Sequence, residues 1–131
     1  MDERSKVVKF WLDSAQEDWE FAIDVWKSGK QLHNALFFGQ LVLEKILKAL
    51  HYQNKEDHPL FIHDLTILAE RSGLAVSETQ KVDYKVITGF NVSARYDDYK
   101  LRIRRLATKE YTDLWMNKIQ ETRNYLLTLF N

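Results

Sequence analysis

Apolar residues at Val8, Trp11, Ala15, Trp19, Ala22 and Trp26 recur in steps of three and four. That is the period of a helix with one buried face. Asp13, Glu17, Asp18, Glu20 and Asp24 fill the opposite face, so the spacing predicts a first helix from about Ser5 to Ser28. Gly29 follows, able to take the left-handed conformation of a C-terminal cap. From about Gln31 to Gln53 the chain is apolar almost all round, with a narrow polar stripe through His33, Gln40, Glu44, Lys48 and His51. A helix of that kind is buried on most sides and reads as the centre of a bundle.

The stretch from Asn54 to Ile62 is polar, holds the single proline, and reads as a loop. Asp64 suits the N-cap of a short third helix carrying Leu65, Leu68 and Ala69 and ending near Gly73. Ser77 with Gln80 reads as a capping box for a fourth, from about Glu78 to Val92, with Val82, Val86 and Phe90 as its stripe. Ser93 to Ala107 is the least regular stretch and reads as a connector. Thr108 caps the last helix, whose expected inward face is Tyr111, Leu114, Trp115, Lys118, Ile119, Thr122, Leu126 and Leu129. The pattern shows no repeat and no boundary. It predicts one domain over 1–131: an all-α, up-and-down four-helix-type bundle of about five helices, one of them short.

Composition supports this. Four glycines and one proline leave few turns, which favours long elements. With no cysteine there is no disulfide framework, thiolate metal site or cysteine nucleophile. The first nine residues are charged and lack an apolar core region, so no signal peptide is expected. No apolar run approaches the roughly 18 residues of a membrane span, and a cytoplasmic location is expected. Aromatic residues reach 13%, enough to expect that some of Phe21, Phe37 or Trp26 are interfacial.

The net charge of zero hides an asymmetry: residues 1–98 carry −4 and residues 99–131 carry +4. Between Asp98 and Glu110 stand five bases and no acid. Arg95 and Tyr96 lie just upstream, and Tyr99 opens the stretch. Guanidinium beside phenol suits a phosphate held by a fork while a ring stacks on a base. The competing reading pairs these bases with the acidic face of the first helix, and different residues can do each. Lys45 and Lys48 either line an anion groove or snorkel to solvent.

Four histidines offer little for a metal. His33 and His51 are 18 residues apart, about 27 Å along one helix. His58 and His63 face each other only across a loop, without a helical ligand pair. All four read as surface or capping residues, with no metal and no cofactor expected.

Four segments resemble one family in order and spacing. Ala15-Gln16-Glu17-Asp18-Trp19 through Ala22 resembles the opening of HEPN domains. Phe37-Phe38-Gly39-Gln40 through Glu44-Lys45-Ile46-Leu47-Lys48-Ala49-Leu50 resembles their second helix. His63-Asp64-Leu65 with Leu68 resembles their H-D-L-x-x-L, and Ala94-Arg95-Tyr96-Asp97 their A-R-Y-P signature. The resemblance covers roughly Phe10 to Leu127 and is closest to small stand-alone prokaryotic members. It implies a helical bundle that forms a homodimer and pairs with a minimal nucleotidyltransferase in toxin–antitoxin-like modules.

Many HEPN proteins are metal-independent RNases that use an Arg followed four to six residues later by a His, on or near the last helix. That pair is missing. Arg123 has no His after it, and no His follows His63 anywhere. Enzymatic activity is left open. A nuclease here would need another pair, such as Arg95 with His63, one to hold the scissile phosphate and one to move the 2′-hydroxyl proton. Asp97 replaces the signature's Pro and sets a negative charge near Arg95.

The reading is a nucleotide- or RNA-binding module with Arg95, Tyr96, Lys45, Lys48 and His63 around its site. An RNase toxin with a non-standard site and a purely structural protein-interaction partner are the alternatives.

Overall fold

The computed structural model describes residues 1–131 except Glu56, Leu60 and Ala94. Six helices fall among the described residues: α1 (Glu3–Ser28), α2 (His33–Lys55), α3 (Leu65–Arg71), α4 (Glu78–Thr88), α5 (Asp97–Leu106) and α6 (Lys109–Leu127). There is no strand among them. The chain is an all-helical bundle. α1 packs along α2, α6 lies against α2, and α3 and α4 cover one end.

The caps form as the sequence predicts. Gly29 closes α1 at φ +71°. The Asp64 carboxylate accepts from the Ile67 amide, and Thr108 from Tyr111. Ser77 and Gln80 make a reciprocal capping box. Each cap satisfies amides that the first helical turn leaves without partners.

α2 is the core element. Leu36, Val42, Leu43, Ile46 and Leu47 are buried, with Trp19 of α1 and Met116, Ile119 and Leu126 of α6 packed around them. Gly39 sets the α2–α6 spacing. A Cβ built there lies 2.9 Å from Ile119 Cδ1 and 3.3 Å from Met116 Sδ. The Trp26 indole N–H donates to the Asp113 carboxylate at 2.7 Å, tying α1 to α6.

Several expectations need correction. The connector from Ser93 to Ala107 contains a helix, α5. Asp97 and Asp98 sit in its first turn and Arg104 and Arg105 in its last, each matching the sign of the helix dipole. Val82 is exposed, and α4 buries Tyr84 and Ile87. Leu114 is exposed as well, and α6 adds Thr112 and Met116 to its buried face. The rest of the expected stripes hold: Trp115, Ile119, Leu126 and Phe90 are buried, and Val86, Tyr111 and Leu129 pack against the core. His51 is not a surface residue: it is buried, with Nε2 2.8 Å from Asp57. No helix among the described residues is long and apolar enough to cross a membrane.

Candidate functional site

The polar stripe of α2 becomes a buried network. Gln40 and Glu44 stand one turn apart, and the Gln40 amide donates to Glu44 Oε1 at 3.0 Å. One turn further, Lys48 Nζ donates to Glu44 Oε2 at 3.0 Å. Lys48 is buried and lies over the Trp11 ring, 5.7 Å from its centroid. The third donor comes from outside the helix: His63 Nδ1 lies 2.8 Å from Glu44 Oε1.

His63 reaches this point because the start of α3 is pinned. The Leu65 amide donates to Thr88 Oγ1 at 3.1 Å, joining the N-terminus of α3 to the C-terminus of α4. The Gln40 amide also reaches the His63 carbonyl at 3.4 Å. Asn91, buried just past α4, donates to Gln40 Oε1 at 3.2 Å and accepts from the Ser93 hydroxyl at 2.7 Å.

Burial pushes the Glu44 carboxyl up. The hydrogen bonds from Gln40, Lys48 and His63, with the charge of Lys48, outweigh that and hold it below the ordinary glutamate value. The carboxylate is therefore ionised at neutral pH. As an ionised carboxylate only accepts, Nδ1 of His63 carries the proton in that hydrogen bond.

His63, Thr88, Asn91 and Arg95 line one cleft of about 240 Å³. Arg95 is exposed, its guanidinium carbon 4.9 Å from the Tyr99 ring centroid. The Tyr99 hydroxyl donates to the Gly89 carbonyl at 2.7 Å, fastening α5 to the end of α4. Arg95 has no carboxylate partner among the described residues. Asp97 does not pair with it. The negative charge of Glu44 behind the cleft is matched by Lys48, so Arg95 leaves the site cationic.

The sequence-predicted residues separate here. His63 and Arg95 share the cleft. Lys48 joins it only through Glu44. Lys45 points elsewhere: its ammonium lies 2.6 Å from Asp18 and 2.7 Å from the Ser14 hydroxyl on α1. Tyr96 is 87% exposed, serves as the backbone N-cap of α5, and does not line the cleft. Ala94 of the A-R-Y segment lies outside the described residues. Of the α1 acids, Asp13 pairs with Lys9 and Asp18 with Lys45, and among the described residues none pairs with a base of α5. Arg123 of the last helix stacks on Trp19 at 5.0 Å and donates to Gln16 at 2.7 Å, fixing α6 to α1.

Sequence reasoning missed Glu44, Gln40, Asn91 and Thr88 as site residues. Gln40 and Glu44 were visible as a polar pair on an apolar helix, a sign of buried polar atoms with partners elsewhere. Nothing local marks Asn91 or Thr88.

The short segment after α4 separates two hollows. Thr88, Asn91 and Arg95 line the cleft just described. Phe90, Val92 and Ser93 line a larger cavity between α2 and α5.

The HEPN domain model matches residues 8–128, nearly the whole chain. The chain belongs to the HEPN domain family. Neither the curated proteins nor the solved structures gave a match.

Proposed function

We propose that this HEPN chain is a nucleotide- or RNA-binding module that takes a phosphate between Arg95 and His63. One observation carries the reading: both side chains line the same cleft, together with Thr88 and Asn91, and no carboxylate among the described residues pairs with the guanidinium. An arginine with free fork donors binds phosphate oxygens bidentately. The imidazole, oriented by Glu44, adds a second donor when protonated. Membership of the HEPN family supports a nucleotide- or RNA-related role in general.

In this reading the protein works in the cytoplasm as a homodimer, beside a minimal nucleotidyltransferase in a toxin–antitoxin-like pair. Titration of ATP and of a short single-stranded RNA onto the full chain tests the binding step. Saturable binding that Arg95→Ala abolishes supports it. Equal affinity in wild type and Arg95→Ala overturns it, and a tight nucleotidyltransferase complex without any nucleotide binding assigns the surface to protein contact instead.

One feature favours a second reading, a metal-independent RNase. His63 backed by a buried carboxylate beside an arginine supplies a proton-transfer group and a phosphate-holding group together. RNA cleavage in EDTA that His63→Ala removes would establish it. Cleavage unaffected by His63→Ala excludes this site.

A further inference from the structure

The second hollow, between α2 and α5, has a volume of about 470 Å³. That lies within the range of small-molecule sites. Its walls are apolar and aromatic. Phe37 and Phe38 meet edge to face at 5.3 Å, and Ile103 also lines it. Its rim carries His33, Lys100 and Arg104, and no Asp or Glu lines it.

Lys100 and Arg104 stand one turn apart on α5, where like charges repel. Neither has a carboxylate partner among the described residues. Burial, then the charge of Arg104, holds the His33 imidazole below its usual value. At neutral pH the rim therefore offers two unrelieved cations and a neutral imidazole over an apolar, aromatic floor. An inorganic anion would meet the rim and leave the floor wet. An uncharged ring would fill the floor and leave the repulsion in place. A molecule with both parts satisfies both, and the apolar floor strengthens pairing at the rim by lowering the local dielectric.

We propose that this cavity binds a small aromatic phosphate ester, its ring against Phe37 and Phe38 and its phosphate on Lys100 and Arg104. The site is separate from the Arg95 cleft and does not rest on the reading given for it.

Naphthyl phosphate and AMP are titrated calorimetrically onto the full chain, with naphthol, adenosine and inorganic phosphate as the separated parts. An ester binds roughly tenfold or more tightly than either of its parts, and Arg104→Ala weakens it by roughly tenfold, the scale of one charge-assisted pair. Arg104 is exposed, and a thermal melt verifies that the variant keeps its fold. Three results overturn the proposal: esters no better than their parts, ester binding indifferent to Arg104→Ala, or a dimer by light scattering that binds neither ester. Ester binding lost in Arg95→Ala but kept in Arg104→Ala also overturns it, placing the phosphate in the other cleft and leaving that reading intact.

Discussion

Glu44 accepts a hydrogen bond from His63 across 2.8 Å, although 19 residues separate them in the chain. The carboxylate is buried in α2 while the imidazole is half exposed beside Arg95. One residue orients; the other reaches solvent and the cleft.

Glu44→Gln keeps the shape and removes the charge. Lys48 is then left buried with a weaker partner, which costs about 1–3 kcal/mol at neutral pH. The sign with pH follows from the lowered folded value. The ionised carboxylate stabilises the native state fully above its ordinary value of 4.5, and that contribution is lost as pH falls through the lower folded value. Urea unfolding of both proteins from about pH 7 to about pH 3 should show the gap between them narrowing at the acid end. A constant gap would show that the charge contributes nothing.

Tyr99 has two separable roles. Tyr99→Phe loses the hydrogen bond to Gly89 and about 1 kcal/mol of stability, while the ring under Arg95 remains. RNA affinity should change by less than about twofold, because ring contact persists. Tyr99→Leu removes the ring too, and affinity should drop several-fold. Its salt dependence should stay that of wild type, since Arg95 is still present, whereas Arg95→Ala should reduce the slope by about one. Fluorescence anisotropy at several salt concentrations distinguishes the variants.

Lys45 belongs to the α1–α2 seam rather than to the cleft. Lys45→Met should lower stability by about 1–3 kcal/mol, because Asp18 loses its ion-pair partner in a partly buried position. Nucleotide or RNA binding should be unchanged in the same titration. A loss of binding in a stably folded Lys45→Met protein would put this lysine back in the site.

Gly39 stands where α2 and α6 approach most closely. Ile119 and Met116 are fully buried and have little room to give. Gly39→Val should destabilise by about 1–3 kcal/mol, read as a shift in the urea midpoint. An unshifted midpoint would show that α6 can move outward at no cost.

Periodicity was sufficient for α1 and α2 because each has a continuous apolar stripe, and Asp64, Ser77 and Thr108, strong capping residues, fixed the starts of α3, α4 and α6; α4 stops at Thr88, four residues short of the expected Val92. α5 escaped it for the opposite reasons. Its N-cap, Tyr96, supplies no side-chain hydrogen bond, and only Ile103 is buried. A short basic helix with one anchoring residue reads as a loop.

The site was only half visible. Arg95 and His63 stood out by type and by their place in the family's segments. Sorting Lys45 from Lys48 needed the third dimension. The lysines are three residues apart on one helix, yet one turns to Asp18 and the other to Glu44. The role of Glu44 depends on His63, just before α3, reaching it across 2.8 Å, which no local pattern encodes.

The stretch following α4 acts as a bulkhead between two compartments, with Asn91 and Arg95 on one side and Phe90 and Val92 on the other. It is tethered by Tyr99 at Gly89 and by Gln40 at Asn91. The two hollows therefore share a partition held by two hydrogen bonds, and a substitution that displaces it alters the shape of both at once.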